Sequence, residues 1–164
     1  MKNKLSIIAS ATILLTTSSH SFFCMELTNL SSILLIQEFE KEKNYDTPNM
    51  KKLLLELNAD PNVYSKKTGK TPLMYAAEFG MDNMINILTQ CKANINSHTK
   101  TNKKTALMYA TLKEHAVTIK LLLSLGAKKT ATDNTDKTAH EMADNKRLKK
   151  LLNPKSFLQR MFSD

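Results

Sequence analysis

The side chains that most often catalyse reactions or bind metal ions are few in this chain of 164 residues, and they lie far apart in the sequence. None of its four histidines, His20, His98, His115 and His140, has a second histidine at the spacing of a metal site. The sequence also lacks a glycine-rich phosphate loop and a nucleophile elbow. We therefore expect that the protein is not an enzyme and that it binds no metal and no cofactor. We assign the histidines structural or solvent-facing roles.

The two cysteines and several aspartates are also best explained as structural residues. Cys24 and Cys91 are too few for a disulfide framework, and Cys91 stands where a helix should end, as a half-buried spacer rather than a reactive thiol. Asp60, Asp133 and Asp136 lie in turn-like segments, where a short carboxylate accepts hydrogen bonds from backbone N–H groups. We expect these aspartates to shape turns.

Lysine is the most abundant source of charge. The chain has 24 Lys and Arg against 15 Asp and Glu, a net charge of +9. Such an excess can indicate binding to nucleic acid or to an anionic membrane surface. Because the lysines are scattered, our preferred interpretation is the composition bias of an AT-rich genome, which favours a bacterial source.

Residues 1–24 are predicted to be an export signal. Lys2 and Lys4 precede a mostly apolar run over residues 5–15, and small residues at Ser19 and Ser21 suit a cleavage site. Eleven apolar residues span about 16 Å as a helix, too short for a bilayer core of about 30 Å. We expect cleavage and passage across the inner membrane, to the periplasm or the exterior, with delivery to a host as one destination. In the alternative, the signal is not cleaved and anchors the protein in the membrane. We expect no other contact with a membrane.

Three similar segments recur at a nearly fixed period. Residues 71–77, Thr-Pro-Leu-Met-Tyr-Ala-Ala, return as 105–111, Thr-Ala-Leu-Met-Tyr-Ala-Thr, and in part as 138–143, Thr-Ala-His-Glu-Met-Ala. A period of this length is typical of a repeat array, in which neighbouring units share one core because a single unit buries too little apolar surface.

Apolar spacing and turn residues predict two helices in each unit. The predicted helices cover residues 30–43, 50–57, 72–77, 82–90, 105–112, 115–124, 138–145 and 147–152. Residues 44–49, with Pro48, should form the first turn. The last unit is short and polar, as the end of a stack requires.

With these motifs the chain resembles the ankyrin-repeat family. That family shows Thr-Pro-Leu-His-x-Ala-Ala at the first helix and a leucine-rich second helix followed by Gly-Ala-Asp-x-Asn, which residues 53–62 and 121–127 match in whole or in part. The resemblance covers 28–153 and implies an all-α solenoid of about four helix-turn-helix units with capping end units. The expected units are 28–70, 71–104, 105–137 and 138–153, and a tail follows at 154–164.

Two departures from the family pattern have structural consequences. The motif histidine is replaced by Met74 and Met108, so we expect its hydrogen bond to the loop to be lost. The glycine that ends a first helix is Gly80 in one unit and Glu114 in the next. A left-handed backbone at Glu114 would cost about 1 kcal/mol.

The resemblance implies a protein partner that contacts the finger tips and the exposed side of the first helices, and no small-molecule substrate. The matching positions are Tyr64, Lys66, Lys67, Lys70, Tyr75, Glu78, Phe79, His98, Lys100, Lys103, Lys104, Tyr109, Leu112 and Lys113. Tyrosine offers a large contact area with a polar tip. In the alternative interpretation, Tyr75 and Tyr109 pack between repeats and the lysines only solvate the surface.

Three functions follow from these features. The first is an exported bacterial ankyrin-repeat module that binds a protein partner through its fingers and concave face. The second is a periplasmic factor that protects or assembles another protein. The third is a binder of nucleic acid or of an anionic surface, for which counterion release predicts an affinity that falls steeply with salt.

Overall fold

The computed structural model describes the backbone of residues 20–40 and 47–153, and side chains from residue 29 to 40 and from 48 to 153. Most of the predicted export signal and the whole of the tail 154–164 lie outside the described residues. Eight α-helices follow one another in the described ranges. They are α1 (His20–Glu40), α2 (Thr47–Leu55), α3 (Pro72–Glu78), α4 (Asp82–Gln90), α5 (Ala106–Leu112), α6 (Ala116–Ser124), α7 (Ala139–Met142) and α8 (Lys146–Leu152).

The first two helices begin earlier than the sequence pattern predicted. Helix α1 includes residues 20–29 ahead of the predicted start at residue 30, because no glycine or proline interrupts residues 20–30. Helix α2 starts at Thr47, so Pro48 lies in its first turn instead of in the connecting turn. Proline is tolerated there because the N–H group that it lacks would have no partner within the helix. In the described part of the chain, no helix is long and apolar enough to cross a membrane.

The later helices agree more closely with prediction. Helix α4 has the predicted bounds, and α3, α5 and α6 differ by one residue at an end. Helix α7 ends at Met142, three residues early, because Ala143 already has an extended backbone. Such differences arise because helix ends depend on local capping more than on apolar spacing.

The helices form two layers. The first helices of the units, α1, α3, α5 and α7, pack in series in one layer, and α2, α4 and α6 pack in series in the other. Strands are absent from residues 20–40 and 47–153, where only isolated bridges join His98 to Thr105 and Thr132 to Thr138. This architecture confirms the prediction of an all-α repeat solenoid.

One continuous core runs between the layers. Ala76 and Ala110 are fully buried, and their small side chains let successive first helices approach closely. Leu88, Ile119 and Leu122 of the second helices are equally buried. Burial of each such side chain stabilises the fold by about 1.5–3 kcal/mol, and most of that area is lost if a neighbouring unit is removed.

A threonine caps three of the first helices. The hydroxyl oxygen of Thr71 accepts a hydrogen bond from the backbone N–H of Met74, and Thr105 and Thr138 cap α5 and α7 in the same way. The methionine replaces part of the contact that we expected to be lost, since the Thr71 N–H lies 3.5 Å from the Met74 sulfur. Sulfur is a weak acceptor, so this contact stabilises the loop less than an imidazole nitrogen would.

Candidate partner-binding surface

Three connecting segments, which we call fingers one, two and three, project beside the first helices. They comprise residues 62–71, 96–105 and 130–138. Each is closed by a backbone hydrogen bond at its base: Ser65 N to Lys70 O at 2.8 Å, Thr99 N to Lys104 O at 3.0 Å, and Asp133 N to Lys137 O at 3.0 Å. The fingers therefore hold a defined shape instead of behaving as free loops.

A buried polar side chain fixes each finger from inside. Ser65, Thr99 and Asp133 occupy the same position in successive fingers, and all three are buried. The Asp133 Oδ1 atom accepts hydrogen bonds from the backbone N–H groups of Thr135 at 2.8 Å and Lys137 at 3.1 Å. The hydroxyl of Thr135, together with these N–H groups, holds the pKa of Asp133 below its ordinary value. The predicted turn role of Asp133 is confirmed.

Groove one lies between finger one and helices α1, α3 and α5, and has a volume of about 360 Å³. Lys70 lines this groove, and its amino group lies 2.5 Å from the Glu78 carboxylate. The same amino group lies 5.2 Å from the ring centre of Tyr75 and 4.6 Å from that of Tyr109. Since the ring faces attract a cation, Lys70 is held by one carboxylate and by aromatic rings of two successive units.

We expected the two tyrosines to be exposed, but both are buried. Tyr75 is 5% exposed and Tyr109 8%, because their rings fill the space between successive first helices. Tyr75 stacks between Phe39, at 6.0 Å between ring centres, and Phe79, at 6.4 Å. Its hydroxyl lies 2.5 Å from the hydroxyl of Thr68. This burial fits the alternative that the rings pack between repeats, and a partner could reach only their edges.

Groove two lies one unit further along, between fingers two and three, and has a volume of about 420 Å³. Lys104, Leu112 and Met142 line it together with polar groups of finger three. Leu112 is 46% exposed, so a large apolar side chain is open to solvent beside a lysine.

The other predicted partner-binding residues differ in exposure. Those that are exposed are Tyr64, Lys66, Lys67, His98, Lys100, Lys103, Leu112 and Lys113. Those that are half-buried are Lys70, Glu78, Phe79 and Lys104. Groove one contains Lys67, Lys70, Tyr75, Glu78, Phe79 and Lys113, groove two contains Lys104 and Leu112, and the remaining residues lie beside the grooves on the fingers.

Some of the groove residues were not among those predicted from the sequence. Thr68 and Asn102 are equivalent finger positions that the repeat period could have indicated, and Lys137 follows from the same alignment. Glu40 had no such signal, since it ends the long helix α1 and reaches finger one by hydrogen bonding to Ser65. Only the packing of α1 against the repeat brings it there.

Cys91 and His115, whose side chains could in principle act as a nucleophile or a metal ligand, lie in structural positions at helix ends. Cys91 ends α4 half-buried, and desolvation raises the pKa of its thiol, so it reacts poorly at neutral pH. His115 precedes α6, with Nε2 3.1 Å from the backbone oxygen of Glu78. Within residues 29–40 and 48–153, no three His, Cys, Asp or Glu residues converge in a way that would hold a metal ion.

Comparison with known proteins identifies the repeat. The family model for ankyrin repeats in three copies matches residues 40–133, more than half of the chain. The chain belongs to the ankyrin-repeat family. A comparison with curated proteins finds no match.

Solved structures give the same family. The ankyrin repeat domain of Bcl-3, a unique member of the IkappaB protein family, is 27% identical to this chain with a TM-score of 0.58. The match covers 63% of this chain and 45% of that domain, so the ankyrin array described here spans less than half of the Bcl-3 domain. As a member of the family, the chain is a protein–protein interaction module.

Proposed function

We propose that this ankyrin array binds a protein partner across fingers one and two and the two grooves beside them. The observation that supports this most directly is the charge of the fingers. Residues 62–71 and 96–105 contain six lysines and no aspartate or glutamate. Only one of the six, Lys70, forms an ion pair among the described residues. A concentrated charge with few internal partners suits recognition of another molecule.

The same face offers apolar anchors. Tyr64 on finger one is 40% exposed and Leu112 beside groove two is 46% exposed. Tyrosine is enriched among the side chains that provide most of the binding energy at protein interfaces when they become fully desolvated, and Leu112 adds apolar contact area. The closed fingers hold them in place before binding, which lowers the entropy lost on association.

Site-specific crosslinking tests which face binds. A photoreactive phenylalanine analogue is placed at Tyr64, at Leu112 or at Val117 in the full-length protein, and irradiated in cells of the native source. Val117 is 69% exposed but lies on α6, in the second-helix layer, so it is a matched control. We expect protein adducts from positions 64 and 112 and none from position 117.

Two results would contradict the proposal. One is the absence of protein adducts at both finger-side positions under conditions where the protein is abundant. The other is an equal adduct pattern at all three positions, which would indicate contact without a preferred face. Mass spectrometry of the adduct identifies the partner, and a periplasmic enzyme there would favour a protective or assembly role.

Export is a further part of the proposal, supported by the sequence pattern of residues 1–24. The measurement is mass spectrometry of the protein recovered from its native source, in each cell fraction. A mature chain lacking about the first 21 residues and found outside the cytoplasm agrees with export. Full-length protein confined to the cytoplasm contradicts it.

A further inference from the structure

The two grooves differ at one equivalent position. The repeat places Lys104 where the preceding unit has Lys70, and Leu112 where it has Glu78, each 34 residues later. In groove one, Glu78 neutralises Lys70 at 2.5 Å. In groove two, α5 offers Lys104 no carboxylate, and Lys104 forms no ion pair with any described residue.

Two of the three carboxylates that line groove two, those of Asp133 and Glu141, already have hydrogen-bond partners. Asp133 accepts hydrogen bonds from finger three, and Glu141 accepts from the backbone N–H of Thr138 at 2.7 Å and from its hydroxyl at 2.8 Å. Lys104 attracts Asp133 only at longer range. An incoming carboxylate at Lys104 would therefore form the contact that Glu78 makes with Lys70.

The side chains around Lys104 indicate which kind of residue lies next to the incoming carboxylate in a bound partner. Leu112 is 46% exposed and Met142 is half-buried, and both line groove two with Lys104. In the preceding unit the equivalent positions are Glu78, which is polar, and Tyr109, which is buried. Groove two thus combines an unpaired ammonium group with an open apolar surface, which suits an acidic residue next to an apolar one.

Charge along the array gives the bound segment a direction. Fingers one and two contain six lysines and no acidic residue, whereas finger three contains Asp133 and Asp136 with one lysine. Glu141 and Asp144 add negative charge to the wall of groove two that α7 and the residues after it form. An acidic stretch is attracted over the first two fingers and repelled at the third.

We propose that groove two binds a protein segment in which acidic residues lie over fingers one and two and an adjoining apolar side chain packs on Leu112. This inference depends on the proposed function and names the chemistry of its partner. A nucleic acid fits less well, because phosphates continuing past Lys104 would meet the carboxylates of Asp133, Glu141 and Asp144 and would leave Leu112 and Met142 exposed.

The test measures the binding of short synthetic peptides by fluorescence anisotropy. The probe is a fluorescein-labelled peptide of four glutamates followed by phenylalanine and two glycines. The comparison probes replace the glutamates with glutamine or with lysine, or the phenylalanine with alanine, and a single-stranded oligothymidine is the fourth. We expect the acidic phenylalanine peptide to bind at least tenfold more tightly than each of the others.

Exchanging the two equivalent residues makes the test specific to groove two. Leu112→Glu supplies Lys104 with an internal partner and should weaken binding of the acidic probe at least tenfold, as should Lys104→Gln. Glu78→Leu releases Lys70 and should create a second site, seen as two bound peptides in titration calorimetry. Lys120→Glu, an exposed change on α6, should leave binding unchanged. Circular dichroism verifies that each variant keeps its helices.

Several results would overturn the inference. Equal binding of the glutamine or lysine probes removes the role of charge, and tighter binding of oligothymidine with the same dependence on Lys104 assigns the groove to nucleic acid. Binding that survives both Leu112→Glu and Lys104→Gln places the site elsewhere. Absence of acidic-peptide binding, combined with protein adducts at positions 64 and 112, rejects this partner chemistry and leaves the proposed function intact.

Discussion

The Nε2 atom of His115 lies 3.1 Å from the backbone carbonyl oxygen of Glu78, so the start of α6 is tied to the end of α3 in the preceding unit. The same ring covers Gly80, where an added Cβ atom would lie 3.1 Å from the His115 Nδ1 atom. Gly80 has a φ of +67°, which only glycine adopts without strain. Backbone conformation and a neighbouring side chain both require glycine here.

We predict that Gly80→Ala destabilises the fold more than Gly69→Ala. Gly69 has nearly the same φ, +69°, but a Cβ atom there would meet nothing within 4 Å. Gly69→Ala should therefore cost only the left-handed strain, about 1–2 kcal/mol. Gly80→Ala should cost about 1 kcal/mol more because the imidazole must move and its hydrogen bond is lost. Urea unfolding followed by circular dichroism measures both.

A double substitution separates the two causes. In a His115→Ala background the ring is absent, so Gly80→Ala and Gly69→Ala should then differ little in unfolding free energy. A difference that persists without the imidazole would show that the close contact is not its cause.

Glu114→Gly should stabilise the protein. Glu114 is exposed and has a φ of +56°, the left-handed conformation that the sequence predicted at this position. Glycine removes a strain of about 1 kcal/mol, partly offset by the greater freedom of the unfolded chain. The matched control is Lys113→Gly, where φ is −98° and glycine brings no relief, so stability should fall. A decrease for Glu114→Gly would contradict the assigned backbone.

Asn62→Ala and Asn96→Ala should each loosen the stack by about 1 kcal/mol. The Asn62 side-chain oxygen accepts a hydrogen bond from the Asn94 N–H at 2.7 Å, and Asn96 accepts one from the Lys128 N–H at 2.9 Å in the next unit. Removal of either leaves a backbone N–H with water as its only partner. Hydrogen exchange at residues 94 and 128 should become faster in the respective variant, whereas Asn134→Ala, at an exposed tip, should change neither rate.

Acid should destabilise finger three in particular. The folded pKa of Asp133 is depressed, so its contribution is complete above the unfolded value of about 4 and is lost as the pH falls through the folded value. Hydrogen bonds from the Thr138 N–H and hydroxyl also lower the pKa of Glu141. Its contribution to stability is therefore lost in the same direction, as the pH falls. Asp133→Asn should weaken the dependence of stability on pH below about 4. An unchanged acid transition in that variant would contradict the assignment.

The sequence alone determined the repeat fold and the position of most of the helices. The recurrence of Thr71 at Thr105 and Thr138 predicted where the first helices begin, because a threonine hydroxyl caps a helix from within three residues. Gly80 and Glu114 follow the ends of α3 and α5 as predicted, because a residue with a left-handed backbone stops a helix independently of its tertiary contacts. These are local effects, so the order of residues is enough to specify them.

Tertiary structure decided which finger and helix residues a partner can reach. Nothing in the motif distinguishes a tyrosine that points outward from one that packs between repeats, and stacking buried both Tyr75 and Tyr109. Stacking also placed Lys70 between those rings and against Glu78, while Leu112 left Lys104 without the equivalent partner. Such contacts join residues of different units, and their geometry depends on how closely successive helices approach, which no single repeat encodes.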